Sequence, residues 1–181
     1  TRTSTLSIPT CIAMLRTYAD RFDEIDPELA QILPDCGAGL LDEWPDALPE
    51  GTIHADLFPD NVLFVDGVVT GMIDFYFACT GTLAFDVAVT HAAWSFAPTD
   101  GVFRPEIAKA LMSGYQTHRS LSDAERAALP ILAQAACLRF VATRVEDWFA
   151  TPADGLVRRK DPMEFARRLA FYRERGEAPF A

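Results

Sequence analysis

The chain has 181 residues, half of them hydrophobic and 13 of them Phe. That suits one domain, or one large lobe of a bigger protein, and argues against disorder. A formal charge of -10 argues against nucleic acid as a partner, because a phosphate backbone rewards clustered Lys and Arg.

Residues 8–32 carry helical periodicity, with Ile12, Leu15, Phe22 and Ile25 among the apolar positions. Residues 34–50, with Pro34, Pro45 and Pro49, read as a connector holding one short helix. Next comes "TIHADLFPDNVLF", residues 52–64, which sets a histidine, two aspartates and an asparagine between strand-like flanks. "VLFVDGVVTGMIDF" follows as a hairpin, because Asp66-Gly67 tolerates the positive φ of a two-residue turn.

From about Leu83 the pattern is helical. "LAFDVAVTHAAWSF" makes one helix and Pro105 to about Arg119 a second. "LSDAERAALPILAQAACLRFVATRVEDWF" makes a long helical stretch, interrupted or restarted at Pro130. The last helix has Asp161 as N-cap, Pro162 in its first turn, Glu164 closing a capping box and Gly176 past its end. Its buried stripe is Phe165, Leu169 and Tyr172. The expected class is α+β and mainly helical, with one hairpin.

Cys11, Cys36, Cys79 and Cys137 form no C-x-x-C pair, and His54, His91 and His118 are equally scattered. Reduced thiols in a cytoplasmic protein fit that spacing better than a zinc site or disulfides. No apolar run reads as long enough to span a bilayer, so no membrane partner is expected. The chain opens "TRTSTLSIPT" without an initiator Met, as an internal start or a processed end would.

The chemistry concentrates around the hairpin. A tight turn at Asp66-Gly67 pairs Val65 with Val68 and, counting outward, Asn61 with Met72. Asp74 then shares a face with Asn61, diagonally placed and about 7–8 Å away at the Cβ atoms. Carboxylate and amide oxygens are the hard ligands Mg²⁺ prefers, its shell being completed by water and phosphates. Asp56, five residues before Asn61, can accept the proton of an attacking hydroxyl. His54, Asp56 and Asn61 have the H-x-D-x-x-x-x-N spacing of a kinase catalytic loop, and Ile73-Asp74-Phe75 follows as the metal-loop triplet. The imidazole of His54 braces that loop by hydrogen bonds. The plainer alternative makes Asp60-Asn61 turn formers and Asp56 a loop cap.

"HADLFPDNVLF", "GMIDFYFAC" and "AFDVAV" resemble the aminoglycoside phosphotransferase and choline kinase superfamily, and within it the homoserine kinase branch. "SGYQTHRSLSDAERAALP", "CLRFVATRVEDW" and "RRKDPMEFARRLAFYRER" extend the resemblance over roughly residues 50–175. It implies the C-terminal lobe of a protein-kinase-like fold. It also implies Asp56 as base, Asn61 and Asp74 holding Mg²⁺ on the phosphates of ATP, and Asp86 tying down the catalytic loop. The implied reaction is phosphorylation of the side-chain hydroxyl of L-homoserine, in threonine biosynthesis. Ala92-Ala93-Trp94 departs from the family, which commonly has an Asn and an acidic residue before that Trp.

Arg139 and Arg144 are candidates for clamping the acceptor's carboxylate, or are ion-paired core arginines. Trp94, Phe75 and Tyr76 read first as core aromatics and second as walls of the acceptor pocket. The chain has two lysines, Lys109 and Lys160, and neither a G-x-G-x-x-G loop nor a strand lysine to pair phosphates. The expectation is therefore a nucleotide-binding N-terminal lobe upstream, and little turnover by these residues alone. Another small-alcohol kinase (choline, aminoglycoside or methylthioribose) and a non-catalytic binding module are the alternatives.

Overall fold

The computed structural model describes residues 2–33, 36–152 and 159–181. The region read as one helical stretch at 8–32 is three pieces: α1 (Ile8–Thr17), a 3-10 segment (Ala19–Glu24) and α2 (Pro27–Ile32). The restart is chemical. The Asp26 side chain accepts the N–H of Glu28, and Pro27 fills the first turn, where no N–H is needed. The connector contains one short helix, α3 (Cys36–Asp42), while its Pro34 lies outside the described residues.

Two antiparallel ladders follow. The strand β1 (Glu50–Ile53) pairs with β4 (Cys79–Thr82), from Glu50 opposite Thr82 to Ile53 opposite Cys79. Everything from residue 54 to 78 is thus one excursion that leaves and re-enters this ladder. Within the excursion, β2 (Val62–Val65) and β3 (Val68–Met72) form the expected hairpin, closed by Asp66 and Gly67 at φ +49° and +77°. The sequence reading missed the pairing of β4 with β1.

The helices α4 (Leu83–Trp94), α5 (Pro105–His118), α6 (Asp123–Ala150) and α7 (Met163–Arg175) complete the chain. α6 is the central member, packed against α1, α4 and α7. Pro130 neither interrupts nor restarts it, contrary to expectation. A capping box between Ser122 and Glu125 starts the helix firmly, and Leu132, Ala133, Ala136, Cys137 and Val141, all fully buried, hold the turns beyond the proline. α6 is also long and apolar enough by composition to cross a membrane, which the sequence reading overlooked; 83% of that window is buried inside the protein, as in a core helix.

In α7, Phe165, Leu169 and Tyr172 are fully buried and Gly176 follows the end at φ +53°. Asp161 accepts the N–H of Met163, but Glu164 closes no capping box. Its carboxylate turns instead to Arg144 and Arg168, at 2.6 and 2.5 Å. Two charged partners outcompete one backbone N–H.

Candidate active site

The loop after β1 is held from three sides. Asp86, in the first turn of α4, accepts the backbone N–H of His54 at 2.9 Å and of Ala55 at 2.7 Å. Arg139 of α6 donates to the Ala55 carbonyl. Trp94, at the end of α4, donates its indole N–H to the Leu57 carbonyl at 2.9 Å. Ala55 sits at φ +62°, a conformation that persists in a residue with a Cβ only where its surroundings impose it. Here both its N–H and its carbonyl are tied down.

His54 reaches across the excursion. Its Nδ1 accepts the N–H of Asp56 at 3.3 Å, so Nε2 carries the proton and donates to the Ile73 carbonyl at 2.9 Å. Asn61 donates from Nδ2 to the Asp56 carbonyl at 2.8 Å, and its own carbonyl accepts the N–H of Ile73 at 3.0 Å. Asp56, Asn61 and Asp74 thereby line one cleft of ≈ 210 Å³.

The route to that convergence differs from the sequence expectation. Met72 faces Val62 rather than Asn61, because the register shifts between Leu63 and Phe64, leaving Thr70 unmatched. Asn61 therefore ends a 3-10 turn (Pro59–Asn61), and Asp74 stands outside β3 at φ +60°. A turn and a left-handed residue bring the two side chains to the cleft, not a shared strand face.

Asp56 is 18% exposed at its side chain, and burial pushes its carboxyl above the ordinary range. The charges of Arg139 and Lys160 oppose that rise, while Asp74 adds to it. Arg139 itself is 3% exposed and lies 3.5 Å from Asp56 Oδ1. Burial lowers its pKa and the Asp56 charge opposes the fall.

The other candidates have different tasks. Arg144 Nη1 donates to the Asp161 carbonyl at 2.8 Å and to Glu164, bracing α6 against the start of α7 at the rim of the cleft. Phe75 and Tyr76 are 54% and 69% exposed, so neither is a core aromatic. Phe75 covers the His54 ring at 4.6 Å between centroids. Ala92 and Ala93, where the motif departs from the family, are buried and stand outside the lining of the cleft.

The sequence reading missed Thr143 and Asp147 as cleft residues and took Lys160 only as a lysine before the last helix. The signal was available. Residues 139, 140, 143, 144 and 147 have the spacing of one helix face, and all five line the cleft.

The model of the phosphotransferase enzyme family matches residues 13–123. A homoserine kinase of Phenylobacterium zucineum is 52% identical over 160 residues, covering 88% of this chain and 49% of that protein. One of Gluconacetobacter diazotrophicus is 53% identical over 153 residues, covering 83% and 47%. The chain thus spans about half the length of the curated relatives it matches. Among solved structures, an ethanolamine kinase of Plasmodium vivax superposes with a TM-score of 0.62 at 17% identity, over 95% of this chain and 49% of that one. That likeness establishes a kinase-like fold, of which this chain is the mainly helical lobe. On the family match and these relatives, the chain belongs to the phosphotransferase enzyme family.

Proposed function

We propose that the protein carrying this chain transfers the γ-phosphoryl group of ATP to the side-chain hydroxyl of L-homoserine, a step of threonine biosynthesis. The observation that carries the chemistry is the convergence of Asp56, Asn61 and Asp74 on one cleft. The names of relatives about half identical to the chain carry the acceptor.

In this reading Asp56 accepts the hydroxyl proton as the acceptor oxygen bonds to the γ-phosphorus and the bridge to the β-phosphate breaks, leaving ADP. Burial raises the carboxyl toward the range where a base can both take and release a proton. Asn61 and Asp74 suit Mg²⁺. The Asn61 amide spends its Nδ2 on Asp56, leaving Oδ1 available as a hard ligand beside the Asp74 carboxylate. When bound there, the ion supplies charge neutralisation on the phosphates. Asp86, His54 and Trp94 position the loop.

The nucleotide's other contacts belong to an N-terminal lobe upstream, which the half-length match to the relatives supports. Three buried free thiols, Cys11, Cys79 and Cys137, fit a cytoplasmic protein.

The test is a coupled ADP-release assay of the full-length gene product with Mg-ATP. Homoserine is compared with choline, methylthioribose and an aminoglycoside. Homoserine-dependent turnover that Asp56→Asn lowers by about 10²–10⁴-fold supports the reading. Turnover with another acceptor alone keeps the kinase and discards homoserine. No turnover with any acceptor makes the site a binding module.

A further inference from the structure

Three charged side chains in the cleft, Asp60, Asp147 and Lys160, have no task in the phosphoryl transfer itself; Asp60 belongs to the 3-10 turn of the loop, and the other two come from outside it. Asp147, near the end of α6, and Lys160, just before α7, both line it beside Asp56. The two arginines that the sequence offered either as acceptor clamps or as ion-paired core residues each hold part of the scaffold. Arg139 sits under the catalytic loop, and Arg144 ties α6 to Asp161 and Glu164. Asp147 and Lys160 form no ion pair among the described residues, with each other or with any neighbour. Both are solvent-accessible, whereas Arg139 and Arg144 are buried.

Opposite charges that share a cleft without touching present a separated anion and cation to whatever enters. That is the complement of a zwitterion. The helix α6 fixes the anionic side: Arg139, whose side chain holds the catalytic loop, and Asp147 stand about two turns apart on one face, roughly 12 Å between their backbone positions along the helix axis. An acceptor whose charged end lay at Asp147 would extend its side chain along α6 toward Asp56.

We propose that Asp147 and Lys160 form the acceptor subsite. Asp147 takes the α-ammonium and Lys160 the α-carboxylate of an L-amino-acid alcohol, with the hydroxyl at the far end of its side chain delivered to Asp56. This assignment rests on the phosphotransfer reading. It gives the cleft a rule for choosing substrates: both charges of the acceptor are matched, and an alcohol lacking either one leaves a protein charge unpaired. Charge-assisted contacts of this kind weaken by about tenfold or more when one partner is removed.

The test is calorimetric titration of L-homoserine, 4-hydroxybutanoate and 3-aminopropan-1-ol into the full-length protein, with phosphoryl transfer assayed in parallel. Asp147→Asn is expected to raise the Kd for homoserine about tenfold or more while leaving that for 4-hydroxybutanoate, which has no ammonium, within about twofold. Lys160→Met is expected to do the same for homoserine and to spare 3-aminopropan-1-ol, which has no carboxylate. Homoserine binding that neither substitution weakens overturns the subsite and leaves the kinase reading standing. Equal weakening of all three ligands overturns it too, since a general distortion of the cleft would do that. A failure of homoserine to bind the unsubstituted protein also overturns it. If the two variants lose binding selectively but no hydroxylated amino acid is phosphorylated, the subsite stands and the kinase reading falls.

Discussion

His91 is fully buried in α4, with Nε2 against the Pro179 carbonyl at 3.1 Å and Nδ1 against the Tyr172 hydroxyl at 2.7 Å. A carbonyl only accepts, so Nε2 donates to it and Nδ1 accepts from the tyrosine; the neutral ring satisfies both. Burial lowers its pKa to about 4. The native ring therefore stays neutral down to about pH 4, while the unfolded chain's imidazole protonates near its ordinary 6.5. Between those values the unfolded state binds more protons, so stability falls as pH drops from 6.5 to 4, by roughly 3 kcal/mol in all. Denaturant melts across that window check the slope, and a ring found titrating near 6.5 by NMR would refute the assignment. Nothing in the sequence marked this residue. Its partners lie 81 and 88 positions downstream, beyond the reach of any local pattern.

Among the elements, α6 shows how packing overrides a local signal. Pro130 lacks the N–H that would bond the Arg126 carbonyl, but Arg126 is an exposed residue, where a missing helix bond costs less than in the core. The substitution Pro130→Ala restores the bond and is expected to stabilise the protein by about 1–3 kcal/mol, read as a higher denaturant midpoint at unchanged slope. A lower midpoint would mean that the pyrrolidine ring packs better than an alanine does. The hairpin makes the complementary point. Its turn was legible because Asp66-Gly67 allows few backbone geometries, whereas the unmatched Thr70 was not. A bulge costs the sequence no distinctive residue, yet it moves every pair beyond it by one. The pairing of β4 with β1 was hidden for another reason: Thr80, Gly81 and Thr82 form a strand only because Glu50–Ile53 lies beside them.

At the scale of the whole molecule, the hairpin stands out from an otherwise covered core. Leu63, Phe64, Val65, Val68, Val69 and Met72 are each 47–64% exposed. A patch of adjacent apolar residues on this scale marks a contact surface. The upstream lobe and its nucleotide are the proposed cover. The 181 residues in isolation are therefore expected to bind a hydrophobic-surface dye and to hold Mg-ATP weakly, with both behaviours reversed in the full-length protein. Equal dye binding by the two would remove the hairpin as the covered face. The site motif itself was legible from the sequence, because its residue types fall within 21 positions, from His54 to Asp74. The far wall of the cleft was not, since Asp147 and Lys160 lie far from the loop in sequence and only the fold brings them to it.

The tie from Arg139 to the loop around Asp56 spans 83 residues of chain and has a consequence for timing. A ribosome working at roughly 5–20 residues per second needs roughly 4–17 s after Asp56 to deliver Arg139. Until then the Ala55 carbonyl lacks the arginine that fixes its left-handed turn. The loop proposed to carry the chemistry therefore cannot take its final geometry until well after it has been synthesised.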